Sequence, residues 1–293
     1  MTPLSILLIL ISATLHSSWN FFSKRGNWPF EFFFWVFLWG VLLYLPFFIG
    51  FTPFPAPFFE APLKLWYLSF LSGLIQTVYF VCLIEAYRMG DLSFVYPVSR
   101  SSPLFTLLWA TLFIGEILSS TGVLGVGLVT LGIFLISIKD IQLKRPLSQP
   151  GDFSFRPYLL TIIAALLGSI YPVLDKKVVQ ILHPVFYTWL INFWMMIFVG
   201  VYLLRKRRVS FSKVWAESKK EIFTIVFLQN VGYGCFLMAL GMSKVSYVMA
   251  FRQISVLFGA VMGILFLKEG HWKPRMIGAL ILTLGLLLIG TAK

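Results

Sequence analysis

The sequence predicts an all-α polytopic membrane protein whose ten transmembrane helices form two inverted five-helix repeats. Three observations carry that expectation. The 293 residues are 59% apolar and only 12% charged, against about 25% charged in a soluble domain. Apolar runs recur near the roughly 20 residues that cross a bilayer. One of them, EFFFWVFLWGVLLYLPFFIGF (31–51), has no polar face with which a soluble helix would meet water. Finally, the chain repeats itself. With Ser93 laid on Ser246 and no gap thereafter, Val95 meets Val248, Ser102 meets Ser255, Glu116 meets Glu269, Gly125 meets Gly278 and Gly132 meets Gly285. Upstream, Gln76 meets Gln229, Cys82 meets Cys235 and Ala86 meets Ala239. A gapless register through several loops marks a duplication.

Span 1 (3–22) lacks a basic leader and a small-x-small cleavage site, so it reads as a retained helix and not a signal peptide. Span 2 (30–51) leads into a Pro- and Phe-rich interfacial loop near 52–64, followed by span 3 (65–87). Span 4 (92–115) carries Pro97 and Pro103, which deprive the Ser93 and Ser99 carbonyls of their helical donors and predict a kink. Span 5 (118–138) closes the first repeat, residues 1–138. The Pro-, Gly- and Gln-containing stretch 139–156 reads as a solvated linker, and residues 157–293 form the second repeat. Its spans are 6 (157–180), 7 (184–205), 8 (220–243), 9 (245–268) and 10 (272–291). Span 9 has no proline; Ser255, Gly259 and Gly263 lie on its Arg252 face instead. Gly125 and Gly132, and again Gly278 and Gly285, place a small residue at every seventh position, which predicts close helix contact for spans 5 and 10. Glu116 and Glu269 stand just before spans 5 and 10, where a carboxylate complements the positive end of the next helix.

Five spans per repeat is an odd number, so each half ends on the face opposite to where it began and the second half runs inverted. Inverted repeats are a signature of secondary transporters, with the substrate site near the midplane. Lys and Arg, including Arg205, Lys206, Arg207 and Arg208, concentrate on the face opposite the termini. The positive-inside rule then puts both termini outside a cell inner membrane. The formal charge of +13 is thus a topology signal, and nucleic acid is not an expected partner. The two cysteines, Cys82 and Cys235, fall within spans and predict neither a disulfide nor a metal site.

Polar residues inside the spans mark the candidate site. His16 and Asn20, with Ala13, Ser17 and Lys24, lie along one stripe of span 1, and lipid does not solvate such a stripe. It serves either a cavity or interhelical hydrogen bonding, and it raises proton coupling through His16 as an expectation. Arg100 and Arg252 sit eight or nine residues into spans 4 and 9, ~13 Å deep at 1.5 Å per residue. An intramembrane arginine costs several kcal/mol unless paired or hydrated, and its planar fork suits a carboxylate or phosphate. The structural alternative is a pair with Glu85 or Asp175. Gln76 and Gln229 are further polar positions in spans 3 and 8. Trp19, Tyr79, Tyr96, Tyr171, Tyr233 and Tyr247 are candidate aromatic walls. Asp175, followed by Lys176 and Lys177, reads as an end-of-span ion pair and not as a proton carrier.

SSWNFFSKR (17–25) and the blocks GDLSFVYPVSRSSPLFTLLWATLFIGE and SKVSYVMAFRQISVLFGAVMGILFLKE resemble the drug/metabolite transporter superfamily, in particular its ten-helix EamA-type members. The resemblance covers almost the whole chain and says little about substrate. It implies a central cavity lined from spans 1, 3, 4, 6, 8 and 9, with His16, Asn20, Gln76, Arg100, Gln229 and Arg252 as substrate-binding candidates. It also implies export.

The expected function is secondary transport of a small anionic or zwitterionic metabolite, such as an amino acid or organic acid, by alternating access. The protein would act in the bilayer as a monomer or homodimer, with no cofactor. Efflux of cationic drugs and flipping of a lipid or polyprenyl-linked substrate are alternatives. A membrane enzyme would need a carboxylate pair or nucleophile–base pair, and neither DxxD nor HExxH occurs. No catalytic or metal-binding residue is therefore assigned.

Overall fold

The computed structural model describes residues 1–26, 28–50, 62–89, 95, 98–137, 155–205, 210–257 and 272–292; the side chains at 20, 21, 23–26, 47–50 and 272–275 fall outside the described part. Among the described residues there are ten helices: α1 Pro3–Gly26, α2 Phe30–Gly50, α3 Leu63–Met89, α4 Ser102–Ile114, α5 Ser120–Ser137, α6 Arg156–Val179, α7 Pro184–Leu204, α8 Phe211–Met242, α9 Val245–Phe251 and α10 Trp272–Thr291. They follow the ten expected spans one for one, and no strand occurs among them. By length and composition α3, α6, α7 and α8 cross a membrane, and the described parts of the other six helices are shorter apolar segments. The expected interfacial loop, most of the 139–156 linker, the Lys206–Arg208 run, Glu269 and the side chain of Tyr96 lie outside the described residues.

The chain divides into two compact units, and each draws on both sequence repeats. One comprises Met1–Ile6, Val78–Val173 and Ser243–Lys293; the other comprises Leu7–Thr77 and Leu174–Met242. Three helices pass from unit to unit, α1 between Ile6 and Leu7, α3 between Thr77 and Val78 and α6 between Val173 and Leu174.

The first unit is seamed by α5 and α10. A methyl group on Gly132 would lie 2.7 Å from the Gly278 carbonyl oxygen, and one on Gly125 would lie 2.9 Å from that of Gly285. Gly125 thus faces Gly285 and Gly132 faces Gly278, so the two helices run antiparallel. Since Gly125 is the repeat equivalent of Gly278, and Gly132 of Gly285, the seam is self-complementary, as a two-fold interface is. These two repeat-equivalent helices therefore point in opposite directions, as the inversion that the odd number of spans predicts requires. On the opposite side of α10, Leu280, Leu284 and Leu287 are 51–66% exposed, an apolar stripe suited to lipid.

Glu116 does something the sequence did not suggest. Its Oε1 accepts the Val245 amide at 2.6 Å, and its Oε2 accepts the Ser246 amide at 3.3 Å and the Ser246 hydroxyl at 2.9 Å. The carboxylate caps α9, not the next helix α5. The reason is donor supply: the start of α9 offers three donors, whereas the first turn of α5 is served by Ser119, whose Oγ accepts the Gly122 amide at 3.3 Å.

In the second unit α2, α7 and α8 pack together. Asn192 Nδ2 donates to Asn230 Oδ1 at 2.7 Å, bridging α7 and α8. Gly40 of α2 leaves room for that pair, since a methyl there would lie 2.5 Å from Asn192 Oδ1. The α8 helix breaks at Ser218 (φ −129°, ψ 24°). The short piece before it carries Trp215, stacked on Trp39 with centroids 5.4 Å apart and topped by the Lys219 ammonium at 5.5 Å. Amphipathic rings of this kind belong at a membrane–water boundary.

Candidate functional site

In the first unit the two arginine-bearing spans are both interrupted at their arginines. Before α4, Arg100 and Ser101 form a turn. The Ser101 amide reaches back only to the Val98 carbonyl at 3.1 Å, and the Leu104 amide to that of Ser101 at 3.1 Å. After α9, Arg252 and Gln253 form a second turn. The Gln253 amide donates to Ala250, Ser255 to Arg252 and Val256 to Gln253, at 3.1, 3.3 and 2.8 Å. All are three-residue steps, the tighter 3₁₀ pattern that marks hinges inside helices. Arg252 and Gln253 are the repeat equivalents of Ser99 and Arg100, so the interruptions fall in adjoining columns of the repeat. Prolines announce the first; the second has none.

Around these turns stand other residues of the same unit. Tyr79 on α3 lies within electrostatic range of both the Arg100 and the Arg252 guanidinium groups. Its ring centroid is 5.9 Å from that of Tyr171 on α6. Gly168 makes this approach possible, as a methyl there would lie 3.0 Å from Tyr79 Cε2. Next to Gly168, Ser169 ties α6 to α4: its Oγ accepts Trp109 Nε1 at 3.0 Å and its carbonyl accepts the Thr106 hydroxyl at 3.2 Å. Gln253 is only 4% exposed, and its Oε1 accepts no hydrogen bond among the described residues. Half-buried guanidinium groups, a phenol and an amide carbonyl offer donors for an anion and one acceptor for a neighbouring N–H or O–H.

The second unit holds a different polar cluster, centred on Asp175 of α6, which is fully buried. Asp175 Oδ1 accepts the Ser72 hydroxyl from α3 at 2.5 Å and the Tyr187 hydroxyl from α7 at 2.6 Å. Its Oδ2 accepts the Tyr233 hydroxyl from α8 at 2.7 Å. Gln76 on α3 closes the ring, its Nε2 donating to Ser72 Oγ at 3.1 Å and to Tyr233 Oη at 3.0 Å.

The candidates named from the sequence are thus distributed. Arg100, Arg252, Tyr79 and Tyr171 lie in the first unit, and Gln76 and Tyr233 meet in the second. His16 and Trp19 pair along α1, with Trp19 Nε1 donating to His16 Nδ1 at 2.9 Å. Gln229 is half-buried on α8. Tyr247 is buried beside Gly122, its hydroxyl 3.3 Å from both the amide and the hydroxyl oxygen of Ser119. The side chains of Asn20 and Tyr96 lie outside the described residues. Asp175, read from the sequence as an end-of-span group, is instead the hub of four helices. Ser72, Tyr187 and Gln253 were not singled out at all. The i, i+4 spacing of Ser72 and Gln76 was the available signal. Glu85 sits 3.6 Å from Arg88 on its own helix. Among the described residues no three His, Cys, Asp or Glu gather into a metal-binding group.

A family model described as the EamA-like transporter family matches residues 3–138 and again 155–291. No curated protein matches the chain. Among 28 chains of solved structures that do, one crystal structure, described only as that of a protein, superposes with a TM-score of 0.72. It is 15% identical in sequence, and the match covers 98% of this chain and 96% of that one; at that identity the likeness speaks for the fold alone.

Proposed function

Because this chain belongs to the EamA-like transporter family, a family of multi-pass membrane transporters, we propose that it carries a small anionic or zwitterionic metabolite, such as an amino acid or organic acid. Transport is outward across a cell inner membrane, by alternating access. The observation that supports this reading is the pair of guanidinium groups at interruptions of two repeat-equivalent spans. Helix interruptions place main-chain dipole ends inside a transporter, where they meet charged substrate groups. Arg100 precedes the N-terminal end of α4 by two residues, so a positive side chain stands beside the positive pole of a helix. Arg252 stands at the C-terminal end of α9, where the pole is negative. The α4 interruption thus carries the larger positive field, and an anionic group relieves it. The guanidinium planes match a carboxylate through two parallel N–H bonds, and the Tyr79 hydroxyl, which feels both guanidinium charges, is a further donor in the same unit.

The test is a metabolite screen by thermal stabilisation of the purified protein, with Arg100→Ala and Arg252→Ala alongside wild type. At 100 times its Kd a ligand stabilises by about 2.7 kcal/mol. The expected result is an anionic or zwitterionic hit whose shift is lost in at least one variant that still melts like unliganded wild type. Hits that ignore both arginines, or that are all cations, refute the substrate class.

A further inference from the structure

The arginine site makes no use of Asp175, yet the carboxylate is fully buried and richly held. Its three hydroxyl partners stand at 2.5, 2.6 and 2.7 Å, the range of about 2.5–2.7 Å found for hydroxyls donating to an ionised oxygen. Gln76 sets the direction of those bonds. Its Nε2 can only donate, and it gives one N–H to Ser72 and the other to Tyr233. Both hydroxyls therefore turn their own protons toward Asp175. A carboxylate shut away from water costs several kcal/mol, and the three donors offset much of that cost. The cluster is poised between a charge that is held and a proton that would remove the need to hold it.

We infer that Asp175 is a proton-binding site, through which transport is coupled to a proton gradient. One proton from water adds to an Asp175 oxygen, the charge goes from −1 to zero, and no other covalent bond changes. The new O–H is itself a donor facing hydroxyls already set as donors, so at least one of Ser72, Tyr187 or Tyr233 must redirect its own proton and accept, or give up the bond. Those three belong to α3, α7 and α8, so protonation rearranges the bonds that tie α6 to its neighbouring helices. Gln76 and Asp175 lie within two residues of the points where α3 and α6 pass between compact units. Pro172 weakens the α6 ladder one turn before Asp175.

Among the described residues, the titratable groups bonded to Asp175 are Tyr187 from α7 and Tyr233 from α8. On α6 itself are Lys176, whose ammonium donates to the Leu240 carbonyl at 2.5 Å, and Lys177 beyond it. From α3 come Ser72 and Gln76, which do not titrate. His16 is the weaker candidate, because its Nδ1 lone pair already accepts the Trp19 N–H.

The use of this proton rests on the transporter reading, but its binding is measurable without substrate. The experiment is an infrared difference titration of the full chain in lipid nanodiscs, with aspartate labelled by carbon-13 at the side-chain carboxyl. The chain has four aspartates, Asp91, Asp140, Asp152 and Asp175. The variant Asp91→Asn/Asp140→Asn/Asp152→Asn leaves the label on Asp175 alone with its cluster intact. On acidification a label-sensitive carboxylic-acid band should grow as the carboxylate bands fall. It should vanish in Asp175→Asn, and its midpoint should move in Gln76→Leu. A labelled group that stays ionised, or stays protonated, across the whole titration overturns the inference, as does a titrating aspartate band that survives Asp175→Asn. If Asp175 titrates while no anion binds at the arginines, the proton site stands and the substrate class falls.

Discussion

Gly132→Ala tests the α5–α10 seam most directly. The added methyl would lie 2.7 Å from the Gly278 carbonyl oxygen, from Leu282 N and from Leu282 Cβ. Two of these are main-chain atoms that cannot rotate aside. Ordinary contact needs about 3.5 Å, so the helices must part locally by roughly 0.8 Å. A gap of that size forfeits about a quarter to a half of each contact's dispersion energy along the seam, and overpacking of this kind costs about 1–3 kcal/mol. Removing a glycine from a helix returns about 0.5–1 kcal/mol. Gly127→Ala is the matched control, because nothing stands within 4 Å of a methyl there. The helix-propensity gain is common to both variants and cancels in their difference, which should be ~1–3 kcal/mol by denaturant unfolding in bicelles. The two-fold character of the seam adds that Gly278→Ala should cost about as much as Gly132→Ala. The double variant should cost less than their sum, since helices already parted accept the second methyl cheaply. Equal stability of Gly132→Ala and Gly127→Ala, or strict additivity of the pair, would refute the close antiparallel seam.

Tyr187→Phe removes one charge-assisted donor to Asp175 and should destabilise the protein by about 1.5–3 kcal/mol, read by thermal melting; Phe186→Leu, beside it on α7, serves to gauge ordinary packing loss. Glu116→Gln should cost about 0.5–2 kcal/mol, the value of a helix N-cap, and should raise hydrogen exchange at the Val245 and Ser246 amides while leaving those of α5 unchanged. For proton coupling, His16→Ala should keep the pH dependence of transport by proteoliposomes and Asp175→Asn should abolish it; the opposite pattern would move the coupling site to α1.

The architecture was legible because a bilayer writes it plainly. Apolar runs of spanning length and a gapless self-alignment need no tertiary knowledge, and the seven-residue glycine spacing already pointed to a close seam. The matching of Gly125 with Gly285, however, depends on the inversion being carried into three dimensions. Half of the helix interruptions could be read. Pro97 and Pro103 advertise the first by deleting donors, whereas at Arg252–Gln253 the backbone exchanges one hydrogen-bond pattern for another and leaves no mark in composition. Only the equivalence of that column with Arg100 could have suggested it. Glu116 and Asp175 were misread for one shared reason. Local reasoning assigned each to its sequence neighbours, α5 and Lys176, but most of their partners lie far along the chain, at Val245 and Ser246 in one case and at Ser72 and Tyr233 in the other. Buried carboxylates choose partners by donor supply in space, and that supply is invisible until the helices meet.

The glycine seam also sets a timetable for making the protein. Gly285 leaves the ribosome about 160 residues after Gly125, which at ~5–20 residues per second means roughly 8–32 s of synthesis. Throughout that interval α5 has been inserted with its small-residue groove open and only lipid to fill it. The Ser246 end of α9 likewise reaches Glu116 late. The first unit is therefore assembled by its last helices, and a slow codon run or a stalled chain before α10 would leave a half-built membrane protein presenting a groove shaped to take an antiparallel helix, including one from the wrong molecule.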